Sequence, residues 1–213
     1  MPDTRRSVVP FLLTLTILGA SACRKEPQAP KPVALEEYVA ARASPSFTRE
    51  LEKRSAAVHA ELESLGTTPG WAGEYYAGDG LGSNVDLAFA PRSGFTIERS
   101  GCLGTYDQNH GSVSITDDRV RLEFAAPLLR DFPPFPRELV TVKLGDRRYL
   151  VPPDDLEAFR ADLESGVEPR TEVQGRWLLA RGDEKLPTQG AKDRTWPAAL
   201  HGKPDAPSAD TDR

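Results

Sequence analysis

The run from Trp71 to Asp107, WAGEYYAGDGLGSNVDLAFAPRSGFTIERSGCLGTYD, decides the fold. Its apolar positions recur every second residue: Trp71, Gly73 and Tyr75, then Val85, Leu87 and Phe89, then Phe95 and Ile97. Asp86, Ala88 and Ala90 oppose the second set, and Thr96, Glu98 and Ser100 oppose the third. A period of two is that of a strand with one face on a core and the other in water. Pro91-Arg92-Ser93-Gly94 is a tight connection, so the second and third strands make a hairpin.

The same alternation continues downstream. Val113 and Ile115 share a face, and Val120, Leu122 and Phe124 oppose Arg119, Arg121 and Glu123. Asp107-Gln108-Asn109-His110-Gly111 and Asp117-Asp118 carry turn chemistry. The proline-rich residues 127–136, PLLRDFPPFP, exclude a central strand and read as a loop that packs its aromatics down. A polyproline docking ligand is the sharper alternative there. ELVTVKL and RRYLV, joined by Gly145-Asp146, form a second hairpin with a type II′ turn. Pro152-Pro153-Asp154-Asp155 opens a short helix over 153–165, with Leu156, Phe159 and Leu163 on its apolar side and Gly166 after it. Residues Gln174 to Ala180 predict one more strand, and Arg181-Gly182-Asp183 reads as a turn.

Upstream, residues 34–66 predict helix in two pieces. Leu35, Tyr38 and Val39 give a short amphipathic segment, and Ser44-Pro45-Ser46 interrupts it, with Ser44 as cap and Pro45 at the first helical position. Phe47, Leu51, Val58, Leu62 and Leu65 then form one stripe on a 3.6-residue period. Glu50, Glu52, Lys53, Arg54, Glu61 and Glu63 fill the remainder, and Gly66 suits the helix end. His59 borders the stripe with no second ligand one turn away, which argues for a surface histidine over a metal ligand.

These readings make the fold α+β. A lead helical segment (34–66) packs on a mainly antiparallel β-sandwich or partly closed barrel of seven or eight strands (67–186), with one further short helix. Residues 187–213 are polar and rich in Pro and Gly, the composition of a disordered tail.

The chain as a whole carries a formal charge of −5, without the clustered Lys/Arg of a nucleic-acid footprint. No G-x-S-x-G, H-E-x-x-H or C-x-x-C occurs, and the sequence implies no cofactor or metal and no catalysis. Gly78-Asp79-Gly80-Leu81-Gly82-Ser83-Asn84 is followed by a strand and lacks Lys, so it is no phosphate loop. Asp79, Asn84 and Asp86 could offer oxygens to calcium, but without the EF-hand order. The plainer reading is a multi-glycine turn, with Asp79 and Asn84 bonded to loop backbone. Cys102 and His110 could make a nucleophile and base, which gives a hydrolase with its site in loop 102–110 as one alternative. The plainer reading is a buried Cys102 acting as a small hydrophobe beside glycines that allow a bend. As a binding surface the sequence offers two loops, 78–84 and 105–110, with Asp79, Asn84, Asp86, Tyr106, Asp107 and His110 as candidate residues.

The N-terminus fixes an address. Arg5 and Arg6 precede an apolar run from Val8 to Leu18, too short to span a bilayer and followed by Gly19-Ala20-Ser21-Ala22-Cys23. Residues 1–22 therefore read as a secretory signal peptide, and the Ala22-Cys23 junction resembles the lipobox of bacterial lipoproteins. That resemblance implies cleavage before Cys23 and a lipid on its sulfur. Ala20 stands where the family usually has Leu, and Ala20-Ser21-Ala22 also fits ordinary signal peptidase. Thr4-Arg5-Arg6-Ser7-Val8-Val9 also resembles the twin-arginine export pattern, against the simpler reading of a basic n-region. Residues 23–33 then form the lipidated cysteine and a proline-rich tether. The lipoprotein resemblance extends to sorting: in the enterobacterial rule Asp after the cysteine retains the protein in the inner membrane, so by that rule Arg24 implies the outer membrane, facing the periplasm.

Two resemblances cover the body of the chain. The run WAGEYYAGDGLGSNVDLAFAP…GFTIERSGCLGTYDQNHG is similar to bacterial envelope lipoproteins that have no known reaction. Trp-x-Gly-x-Tyr in a first strand after a helix is similar to the opening of lipocalin-like barrels, which implies a small apolar or lipid ligand inside. The expectation is a lipid-anchored, non-catalytic binding or interaction domain. Its partners would be the membrane, an envelope protein or a small ligand, and the first alternative is a lipocalin-like carrier.

Overall fold

In a computed structural model of the chain, the alternating segments pair in chain order and close into an eight-stranded antiparallel barrel. The structure describes residues 32–66, 70–128, 135–166 and 177–187. The signal peptide, Cys23, most of the tether, residues 174–176 of the last expected strand and the tail from 188 lie outside these.

The strands are β1 (Gly73–Ala77), β2 (Asn84–Ala90), β3 (Gly94–Gly101), β4 (Gly104–Thr116), β5 (Arg119–Phe124), β6 (Glu138–Leu144), β7 (Arg147–Val151) and β8 (Leu178–Ala180). Each neighbours the next, and β8 closes on β1 through Tyr75↔Ala180 and Tyr76↔Leu179. The turns β2–β3, β4–β5 and β6–β7 are tight, and Gly145 takes a φ of 61°, as a primed turn requires. The long connections gather at the opposite end.

The inner face follows the period-2 pattern. Tyr75, Leu87, Phe89, Phe95, Ile97, Leu122 and Phe124 are buried together. Tyr75 stacks on Phe89 at 5.6 Å between ring centroids, and Phe95 meets Phe124 edge-on at 5.1 Å. Leu128 and Phe135, from the loop after β5, join this core as expected of a loop that packs inward.

Two helices cover opposite outer walls. α2 (Pro45–Leu65) lies across β2, β3 and β4, with Val58 fully buried beneath it. α3 (Leu156–Glu164) sets Phe159 and Leu163 against Tyr149 and Trp177. The helical break falls where Ser44-Pro45 predicts it, after α1 (Leu35–Arg42), and Gly66 ends α2 at a φ of 62°.

Several expectations are corrected. Leu35 and Val39 do not face inward with Tyr38: only Tyr38 is buried, and both apolar neighbours are exposed. Val33 belongs to the fold rather than the tether, donating its N–H to Leu128 O at 3.1 Å. Residues 107–111 are not a turn but the middle of the 13-residue β4. The side chains of Asp107, Gln108 and Asn109 each find partners, so turn composition does not break the strand. Asn109, fully buried, donates from Nδ2 to Ala126 O at 3.0 Å and accepts from Ala126 N–H at 3.3 Å. Its amide thus imitates one rung of a ladder where β5 has already left. Glu61 is also misread as exposed. It is 7% exposed and accepts the backbone N–H of Arg92 (3.2 Å) and of Ser93 (2.7 Å), while Arg54 Nη1 donates to Ser93 O at 2.6 Å. Arg54 and Glu61, two turns apart on α2, together grip the β2–β3 turn.

Candidate functional site

Of the two loops chosen from sequence, 78–84 is a loop, whereas 105–110 lies within β4, and the candidates do not form a catalytic constellation. The β1–β2 loop and the β3–β4 turn lie side by side at one barrel end: a Cβ on Gly101 would overlap Gly82 O and come within 2.8 Å of Tyr106 Cε2. The glycine loop is a self-contained turn, as expected. Asp79 Oδ1 accepts from Leu81 N–H (2.8 Å) and Gly82 N–H (2.6 Å), and these bonds hold its carboxyl below the ordinary aspartate value. Asn84 Oδ1 accepts from Gly80 N–H (2.8 Å) and from the Tyr76 hydroxyl (2.7 Å). Asp86 projects from β2 instead and pairs with Arg181, whose guanidinium also lies 4.9 Å from the Tyr76 ring centre. These oxygens do not converge, and the described residues contain no cluster of three or more metal-ligating side chains.

Cys102 sits exposed at the tip of the β3–β4 turn, which overturns the buried reading. A two-residue turn at 102–103 leaves it no wall to pack against. His110 lies six residues up β4 from Gly104, a separation of about 20 Å along a strand. Alternation also parts the expected partners. Asp107 pairs in register with Arg99, and through it shares the face of Val85; His110 pairs with Thr96 and lies under α2, 5.5 Å from the Phe47 ring. The His110 ring is buried, and burial pushes its pKa below the ordinary histidine value.

Asp107 is instead the centre of a structural cluster. The Tyr38 hydroxyl donates to its carboxylate, and Arg42 Nη2 lies 3.3 Å from the same oxygen. Arg42 also donates from Nε to Gln108 O (2.8 Å) and from Nη2 to Pro127 O (3.0 Å), and its guanidinium stacks over Tyr38 and Phe47. Burial, then Asp107, pushes the Tyr38 phenol well above its ordinary value. The arrangement fastens α1 to the part of β4 that β5 does not pair, and it contains no exposed reactive atom.

An open groove of about 340 Å³ lies on the outer wall between α2 and the sheet. Leu51, Ser55 and His59 line it from the helix, and Glu74, Asp86, Ala88, Thr96, Glu98 and Arg181 from the sheet. His59 Nε2 stands 3.2 Å from Glu74, and Glu98 accepts from the neutral donors Thr105 Oγ1 (3.1 Å) and Gln108 Nε2 (2.8 Å). With Glu74, Asp86 and Glu98 against Arg181, the lining is acidic. Sequence reasoning missed this site because its residues come from six separated segments. The outward positions of β2 and β3, taken with the polar border of the α2 stripe, are the one signal that could have shown it.

The class defined by this fold is the eight-stranded, antiparallel, up-and-down β-barrel with external helices. No protein-family model, curated protein or solved structure matches the chain.

Proposed function

We propose that this chain is a lipid-anchored protein of the bacterial envelope whose barrel binds a partner on its outer wall, without catalysis. The observation that carries the reading is the occupied interior. Tyr75, Phe89, Phe95, Phe124, Leu87 and Leu122 fill the space that a carrier would leave for its cargo. The α2 groove is the complementary feature, open and lined by both apolar and charged groups. Its acidic lining suits a ligand that presents an amine or guanidinium, because Glu98 is held by the neutral donors of Thr105 and Gln108 and, among the described residues, by no cation. Anchoring rests on the lipobox at Ala22-Cys23 and on the tether of Pro and polar residues behind it.

Native mass spectrometry of the exported Cys23→Ser protein, purified gently from the periplasm, tests the binding reading. A reproducible extra mass that disappears in Glu98→Gln supports the outer groove. An extra mass that persists in that variant but is lost on enlarging an inner side chain, such as Leu87→Phe, would transfer the function to the interior. Anchoring is tested by incorporation of labelled palmitate and its loss in Cys23→Ser.

The second reading is a lipocalin-like carrier. It is favoured by the closed eight-stranded antiparallel barrel itself, an architecture able to hold one small ligand.

A further inference from the structure

One end of the barrel exposes several large apolar side chains. Leu103 is 88% exposed at the β3–β4 tip and Leu81 is 75% exposed in the neighbouring β1–β2 loop. Tyr106, 41% exposed, packs over Gly101 between them and shares a surface pocket with Val39 of α1. Val39 (53% exposed) and Leu35 (58%) are four residues apart on one face of that helix. The five side chains lie at this end of the barrel, from the start of α1, where Glu36 and Glu37 neighbour Leu35, to the loop tips. Residues 101–106, GCLGTY, carry no charge, and residues 78–84 carry only Asp79. Exposed large apolar side chains on loops this poor in charge mark a docking surface.

The chain's own connectivity names the occupant. α1 begins at Leu35, and residues 24–34 separate it from Cys23. Even fully extended that span reaches about 40 Å. A lipid on Cys23 would hold the barrel within that distance of a bilayer, at a high effective concentration, with these side chains at the end where the tether enters. We infer that Leu81, Leu103, Tyr106, Val39 and Leu35 seat this end of the barrel in the membrane interface to which the N-terminus is anchored. The inference rests on the anchored reading above. Seating is apolar rather than electrostatic, so it does not require anionic lipid and persists at high salt.

Hydrogen exchange on vesicles tests it. Residues 23–213 with Cys102→Ser are coupled through the Cys23 thiol to a maleimide lipid in phosphatidylcholine–phosphatidylethanolamine vesicles. The control is the same chain with Cys23 capped and free in solution. Amides of 78–83 and 101–106 should exchange at least about threefold more slowly on the vesicle, with the 117–118 turn at the opposite end unchanged. Leu81→Ser with Leu103→Ser should restore the free rate, and these exposed positions leave the fold intact. Free-rate exchange in the coupled chain overturns the inference. So does protection that appears without vesicles and grows with protein concentration, which would assign these side chains to a second copy. Because chemical coupling replaces acylation, failure of Cys23 to take up palmitate in cells would refute the anchor while leaving this result to stand alone.

Discussion

Removing the Glu61 carboxylate should loosen the barrel at a place remote from any reactive group. Glu61→Ala leaves the N–H groups of Arg92 and Ser93 without their acceptor beneath α2. An abandoned donor costs about 1–3 kcal/mol, and water at the turn recovers part of that. The ion pair with Arg92 adds little, because that side chain is 80% exposed. The better helix propensity of Ala returns a few tenths, so the expected loss is about 2–4 kcal/mol. Glu61→Gln keeps one acceptor and should lose roughly half as much. Burial opposes the charge, but the bonds from Ser93 and Arg92 outweigh it and hold the carboxyl below its ordinary value. A depressed carboxyl contributes stability that is complete above the unfolded value of about 4.3 and is lost as pH falls through the folded value. The gap between wild type and Glu61→Gln should therefore narrow on acidification below about pH 4. Urea unfolding of the mature Cys23→Ser chain, followed by tryptophan fluorescence at several pH values, measures it. A Glu61→Ala midpoint within about 0.5 kcal/mol of wild type at pH 7, or a gap that does not narrow in acid, would refute the reasoning.

Gly111→Ala should cost about 2–3 kcal/mol or more, since a Cβ there overlaps Glu123 O and lies 2.8 Å from Phe95 Cε1; a thermal melt reads it. Asp183→Ala should cost about 2–4 kcal/mol, because buried Asp183 accepts from Arg148 N–H (2.9 Å) and Nε (3.0 Å). The same urea series tests that loss, with Asp183→Asn falling between. The exposed Cys102 thiol should react with Ellman's reagent in the folded Cys23→Ser protein within about tenfold of its rate in the unfolded chain. Much slower labelling would return it to the interior.

Strands of alternating pattern were legible because one rule, period two, governs both their conformation and their burial. β5, whose outward Arg119, Arg121 and Glu123 alternate with Val120, Leu122 and Phe124, matches it residue for residue. Closure was not legible: sandwich and barrel share the same pattern, and the pairing of β1 with β8 separates them. β4 ran through Asp107–Gly111 because Tyr38, Arg42 and Ala126, distant in sequence, satisfy its polar groups. Glu61 was hidden by the same cause, since a carboxylate on a helix reads as solvated until a turn is found to face it. Of the candidate segments, 78–84 is a loop but 105–110 is strand, and the alternation that defines that strand separates Asp107 from His110. The acidic groove depends on how α2 crosses the sheet, and no local pattern encodes a crossing.

The three-residue β8 has a consequence for biogenesis. Until Leu178–Ala180 arrives, β1 and β7 each present an unpaired edge, and those edges are separated by most of the folded sequence. Open edges template association with other chains. A polypeptide threaded across a membrane N-terminus first would display both while its last fifth was still in transit. Arg181 N–H to Glu74 O (2.8 Å) and Asp183 to Arg148, which follow β8 directly, would then act as a latch thrown last. Demand for chaperones should peak in that interval and vanish once the latch is set.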